Sequence, residues 1–144
     1  MQGIEFLEFA AFLAAQNRNE SARRSAVSRA YYGAFHLARE FLTELGVDVP
    51  ANATGHEFVV LRLENCGYSE AYEAGSLLAD IRTERNRADY DLASQRIARI
   101  ETVRVVIERA AEIHRLLLTF RNEPARTSIR DGIVRYHQSV RYPG

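Results

Sequence analysis

The chain has 144 residues, of which 47% are hydrophobic and 26% charged, proportions that fit one globular domain and exclude a disordered or fibrous protein. Nineteen acidic residues balance nineteen basic ones, all of them arginine, so the net charge of zero favours no class of partner. Cys66 is the only cysteine, which excludes an internal disulfide and a cysteine-based zinc site. No apolar run could span a bilayer and no signal-peptide pattern appears, so we expect a cytoplasmic protein without a membrane partner.

The first half of the chain predicts two helices. The first should run from about Ile4 to Gln16, on the helical spacing of Ile4, Leu7, Ala11 and Ala14. Asn19 or Ser21 can cap the second, which should reach Leu45 and end at Gly46. This second helix is apolar on most sides and should lie in the middle of a bundle. Its main stripe is formed by Val27, Tyr31, Ala34, Ala38, Phe41 and Leu45.

The second half predicts an exposed loop over 46–55 and then three more helices. A short one runs from about His56 to Asn65, and the next begins at a Ser69 cap and turns Leu77, Leu78 and Ile81 inward. Asp91 or Ser94 should cap a long helix that extends to about Arg121. Its predicted core stripe consists of Ile97, Ile100, Val103, Ile107, Ala111 and Leu118.

These elements predict an all-α, up-and-down bundle of four main helices over 1–122, with short helices and a C-terminal extension over 123–144. The extension has four arginines and two acids, a net charge of +2, and could form an amphipathic helix from about Ser128 to Val140. Two interpretations stay open for it. It packs on the bundle or on a partner subunit, or it is a free arm that binds nucleic acid.

The stretch "RNRADYDL" at 85–92 concentrates charge where a helix should end. Arg85 and Asp89 are four residues apart, so they share a helix face and can pair, with Arg82 one turn earlier. Arginines are favoured at a helix C-terminus by the helix dipole, and they also bind phosphate through a planar fork. From the spacing, a solvated helix end and a phosphate-binding site remain equally good explanations.

Histidines and signature motifs add little to this picture. His36 lies one turn after Tyr32 and two turns after Arg29, on the same helix face, either as a structural histidine or as part of a site. His56 stays undecided, and His114 falls beside a core stripe. The four histidines are too far apart in sequence to predict a metal site, and no dinucleotide, phosphate-loop or hydrolase motif occurs. We therefore predict neither a metal nor a cofactor.

Two stretches together resemble the HEPN superfamily, in particular its small single-domain bacterial and archaeal members. They are "SRAYYGAFHLAREFL" at 28–42 and "RTERNRADYDL" at 82–92, which are similar to that subgroup's Ser-Arg-x-Tyr-Tyr-x-x-Phe helix and Arg-x-x-Ala-Asp-Tyr ending. The resemblance covers roughly residues 5 to 120. It implies a bundle of four or five helices that usually forms a homodimer. Many HEPN proteins are metal-independent ribonucleases, and many are toxins or partners of a minimal nucleotidyltransferase.

The family's shared site is an Arg-x(4–6)-His motif that both subunits contribute. Arg85 matches its arginine and Asn86 the polar residue after it, but Tyr90 stands where a histidine would, and no histidine occurs between 57 and 113. In a toxin subgroup the partner modifies a tyrosine, and Leu92 occupies that position here. The nuclease motif and the modification site are both incomplete.

The spacing and the resemblance together give three groups of site residues. Arg85, Asn86 and Tyr90 are the catalytic candidates, Arg82, Arg85 and Arg87 the phosphate or RNA contacts, and Asp89, Ser28, Arg29, Tyr32 and His36 the supporting residues. We expect Arg85, Asn86, Asp89 and Tyr90 near one groove at a dimer interface.

The first functional hypothesis is an RNA-directed protein of a toxin–antitoxin or related defence system, with weak, metal-independent ribonuclease activity at most. The alternatives are a non-catalytic HEPN subunit that binds a nucleotidyltransferase-fold antitoxin or a nucleotide, and a dimeric helical scaffold.

Overall fold

The computed structural model describes residues 2–16, 19–91, 93 and 99–141. Within them the chain forms a helical bundle, and none of the described residues belongs to a strand. The helices are α1 (Gly3–Gln16), α2 (Glu20–Glu44), α3 (Thr54–Asn65), α4 (Ser69–Tyr90), α5 (Ile100–Phe120) and α6 (Ala125–Arg141). The predicted all-α bundle is confirmed. No helix of the described residues is both long and apolar enough to cross a membrane.

Helix α2 lies at the centre of the bundle, as its apolar faces predicted. It packs against α1, α3, α4 and α5, and the six residues of its predicted stripe are all buried. The Asn19 side chain accepts a hydrogen bond from the backbone N–H of Ala22 and so caps its first turn. At the other end Gly46 has a φ of 85°, a left-handed conformation in which glycine carries no steric penalty.

The predicted boundaries around α4 and α5 need correction. The residue before α4 is Tyr68, and Ser69 donates to the Glu70 carboxylate instead of capping the helix. Asp91 follows the last turn of α4 and does not begin α5, which starts at Ile100 without a side-chain cap. Ser94 and Ile97 lie outside the described residues.

The predicted core stripe of α5 is right at Val103, partly right at Ile100 and Ile107, which are half-buried against the core, and wrong further along. Ala111 and Leu118 are exposed, and Leu118 keeps 51% of its surface. A step of four residues advances about 40° beyond a full turn, so consecutive steps of four rotate off the core face. Alternating steps of three and four keep the buried residues on one face: Val103, Val106, Ala110, Ile113, Leu117 and Phe120.

The C-terminal extension forms α6, which is longer than predicted and packs on the bundle against α3 and α5. Ile129 and Ile133 are fully buried there. Gly132 lies so close to α3 that a Cβ at this position would stand 1.7 Å from the Cys66 carbonyl oxygen. A side chain at position 132 would therefore push the two segments apart.

Candidate functional site

The two motifs that carry the HEPN resemblance contact each other where α2 meets the end of α4. Arg85 is 7% exposed, and its guanidinium lies 5.3 Å from the ring centre of Tyr31 and 5.1 Å from that of Tyr32. Its Nη1 is 3.6 Å from Oδ2 of Asp89, so the predicted pairing of Asp89 with an arginine is confirmed. The Ser28 hydroxyl also donates to Oδ2 of Asp89, at 3.5 Å. Arg85 is thus placed between the helices and not on the surface.

A neutral histidine completes this buried cluster. The His56 ring stacks on Phe35 with ring centres 4.1 Å apart, and its Nδ1 shares a hydrogen bond with the Tyr31 hydroxyl. Burial, followed by the positive charges of Arg82 and Arg85, lowers the pKa of His56 to about 4. Burial also raises the pKa of Tyr31 to about 12, although the same two arginines oppose that rise. Both rings are therefore uncharged near neutral pH.

Arg24 holds the end of α4, and sequence reasoning missed it. It is 8% exposed, and its Nη1 donates to the backbone oxygens of Arg87, Ala88 and Asp91, at 3.1, 3.2 and 3.0 Å. Its Nε donates to Glu20, one turn earlier on α2, at 2.9 Å. A guanidinium at these carbonyls satisfies the last turn of α4 and complements the negative end of its dipole. Arg24 looks like any polar residue of a long helix, so nothing in the local pattern could reveal this role.

An open groove of about 770 Å³ lies between the first half of α2 and the end of α4. We call it the α2–α4 groove. It is lined chiefly by polar side chains, among them Ser21, Ser25, Ser28, Arg29, Asp89 and Tyr90. Tyr90 is 76% exposed, and Arg29 forms no ion pair with a described residue. The groove therefore offers hydroxyl groups, a guanidinium without an ion pair among the described residues, and an accessible aromatic ring.

The remaining motif residues lie elsewhere. Asn86 and Arg82 line a second groove of about 360 Å³ between α3 and α4, the α3–α4 groove. Arg87 pairs with Glu84 at 3.1 Å. The four residues expected in one groove are thus divided: Asp89 and Tyr90 line the α2–α4 groove, Asn86 lines the α3–α4 groove, and Arg85 is buried between the helices.

His36 stacks on Phe6 and Tyr32, with ring centres 5.5 and 6.4 Å away, and Arg29 lies over the same Phe6 ring at 5.8 Å. Burial, and then the charge of Arg39, lowers the pKa of His36. It is not among the described residues that line the α2–α4 groove. Its contacts fit the structural interpretation better than a role as the missing base.

No group of histidine, cysteine and acidic side chains suited to a metal ion occurs among the described residues. Comparison with known proteins gave no match to a family model, a curated protein or a solved structure. The HEPN resemblance therefore rests on the two sequence motifs.

Proposed function

We propose that this chain is a HEPN-type protein that binds RNA within a toxin–antitoxin or related defence system. One observation carries the proposal: Arg85 and Asp89 of the second motif pack onto Ser28, Tyr31 and Tyr32 of the first. Residues of the first motif and residues of the second thus form one cluster beside an open polar groove. A solvated helix end would leave Arg85 exposed, and it is 7% exposed.

The α2–α4 groove supplies the groups that bind single-stranded RNA. Arg29 can pair with a phosphate, the serine hydroxyls can donate to its oxygens, and the exposed Tyr90 ring can stack on a base. Glu20 and Asp89 also border the groove, but each is paired with an arginine, Arg24 and Arg85. In this arrangement Arg85 positions Asp89 and the last turn of α4, while Arg29 makes the phosphate contact.

Binding is better supported than cleavage. Tyr90 occupies the place of the family's histidine, and a phenol is a weak base at neutral pH. Any cleavage of RNA should then be slow and independent of metal ions. The rate of cleavage is measured by incubating the protein with total RNA in the presence of a chelator. The Arg85→Ala protein is treated in the same way for comparison. Rapid cleavage at neutral pH that survives Tyr90→Phe would show that the base lies elsewhere.

Binding is tested by fluorescence anisotropy with a labelled single-stranded RNA at several salt concentrations. Arg29→Met should weaken binding and reduce the slope of log affinity against log salt by about one, the loss of one phosphate contact. Tyr90→Ala should cost about 1–3 kcal/mol of binding free energy if the ring stacks on a base. Arg104→Met, at an exposed position of α5, is the matched control. Unchanged affinity in both groove variants rejects this groove as the RNA site.

We further propose that the chain forms a homodimer through the surface at the end of α4, as the resemblance implies. Two features support this: the Tyr90 ring is 76% exposed, and the RNA-binding groups of the α2–α4 groove lie at the same end of the helix. Light scattering at tens of micromolar protein gives the mass directly. The mass of a single chain would contradict the shared site.

A further inference from the structure

The last turns of α6 are tied to α3 by one cluster of side chains. The Arg62 guanidinium lies 3.5 Å from the ring centre of Phe58, on the same helix, and 5.3 Å from that of Tyr136 on α6. Its Nε donates to Nε2 of His137 at 3.1 Å. Arg62, Phe58, Tyr136 and His137 are all partly buried.

The two halves of α6 are attached differently. The first half is held by the fully buried Ile129 and Ile133 and by the close approach of Gly132 to Cys66. In the second half Val134 and Val140 are 50% and 55% exposed, and Tyr136 and His137 are the residues that reach α3. Loss of the Arg62 contact would therefore loosen residues 134–140 and leave the first half in place.

The bond between Arg62 and His137 requires a neutral imidazole. Arginine can only donate, so Nε2 of His137 must accept, and a protonated ring has no acceptor and adds a second cation beside Arg62. The groups around His137 do not compensate that charge. From α3 it meets Arg62 and the Phe58 ring, and along α6 the Tyr136 ring. Neither Arg62 nor His137 forms a salt bridge with a described residue. Burial and Arg62 lower the pKa of His137, and no charged residue of α5 contributes to that change.

We propose that residues 134–140 of α6 form an acid-released strap over α3, held by Arg62 at neutral pH and freed when His137 takes up a proton. Phe58 and Arg62 line a shallow depression on α3 together with Glu57 and Leu61, and release would expose more of both side chains. Glu57 and Leu61 also line the α3–α4 groove, so the enlarged face adjoins that groove. The strap is independent of the RNA-binding proposal, because it shares no residue with the α2–α4 groove.

The direction of the pH effect follows from the His137 environment. Burial, and then the charge of Arg62, lowers the pKa of His137 below the ordinary value of 6.5. The released strap therefore binds the proton more readily than the attached one, and attachment weakens as the pH falls below 6.5. Each unit of difference in pKa between the two states corresponds to about a tenfold change in the attachment equilibrium.

Hydrogen–deuterium exchange with mass spectrometry can follow the strap on the intact protein. Protection factors, which correct for the intrinsic effect of pH on exchange, are compared near neutral pH and near pH 5. In the wild type, protection of 134–140 should fall at the lower pH several-fold more than that of 127–133 and α5, which report the general acid sensitivity of the bundle. His137→Gln keeps an acceptor near Nε2 but does not titrate, so in this variant protection of 134–140 should fall no more than that of 127–133 and α5. Arg62→Met, which removes the donor, should leave the strap poorly protected at both.

Three results would overturn the strap. The first is equal protection of 134–140 at the two pH values in the wild type. The second is the same acid-induced fall in His137→Gln. The third is a loss of protection spread evenly over α5 and α6, which would show global unfolding.

Discussion

At the scale of single residues, the pair between Arg85 and Asp89 decides how the end of α4 is organised. Asp89→Asn removes the carboxylate charge opposite a guanidinium that is 7% exposed. We expect the strength of this pair to be intermediate between that of an exposed and that of a fully buried ion pair. Asp89 keeps 29% of its side-chain surface, and the N···O distance is 3.6 Å. We expect the free energy of unfolding to fall by about 1–3 kcal/mol. Urea denaturation at neutral pH measures the change.

Asp80→Asn is the matched control for this substitution, since Asp80 is an exposed residue of the same helix without a described ion pair. Its stability should stay within about 0.5 kcal/mol of the wild type. If Asp89→Asn changes stability as little as Asp80→Asn, the pair does not stabilise α4.

At the scale of elements, the Arg24 guanidinium joins α2 to the last turn of α4. Arg24→Met keeps most of the apolar stem and removes the donor to three backbone oxygens. Hydrogen bonds from a charged group contribute about 1.5–3 kcal/mol, so we expect a loss of stability in that range. Amide exchange should locate the change at residues 87–91, because those carbonyls lose their partner and the turn unwinds.

The corresponding control is Arg104→Met on the exposed face of α5. It should leave both the stability and the exchange of residues 87–91 unchanged. An Arg24→Met protein that loses stability without faster exchange at the end of α4 would show that Arg24 acts through packing and not as a cap.

At the scale of the whole molecule, the partly buried and neutral His56 makes the bundle sensitive to acid. The pKa of His56 is about 4 in the folded chain against 6.5 as the ordinary value, so the unfolded chain binds the proton first. Stability should therefore be complete above pH 6.5 and fall as the pH drops towards 4. Because the ring is only partly buried and solvent screens the charge, we expect a loss of about 1–2 kcal/mol.

His56→Asn tests this effect, because its amide keeps a polar atom near Nδ1 but does not titrate. Urea titrations at several pH values should show a flatter dependence of stability on pH between 6.5 and 4 than in the wild type. The slope of free energy against urea serves as the check that the folded and unfolded states themselves are unchanged. An identical pH profile in the two proteins would remove His56 as a cause of acid sensitivity.

Sequence reasoning succeeded for most of the roles that depend on a residue's neighbours in the chain, although the predicted Ser69 cap was wrong. The stripe of α2, the Asn19 cap and the stop at Gly46 were all predicted, because periodicity, capping and glycine conformation are local properties. The pairing of Arg85 with Asp89 was predicted for the same reason, since four residues form one helical turn. The stripe of α5 failed at Ala111 and Leu118, because two apolar faces of one helix satisfy nearly the same spacing.

Taken alone, the sequence determined an all-α chain with a central second helix, and it marked the end of α4 as unusual. Only the tertiary structure decided that Arg85 is buried, that Arg24 caps a helix more than sixty residues away, and that Asn86 and Tyr90 line different grooves. Helix propensity and hydrophobic periodicity are set within a few turns of the chain. The partners of a charged side chain are set by which helices meet, and no local pattern contains that information.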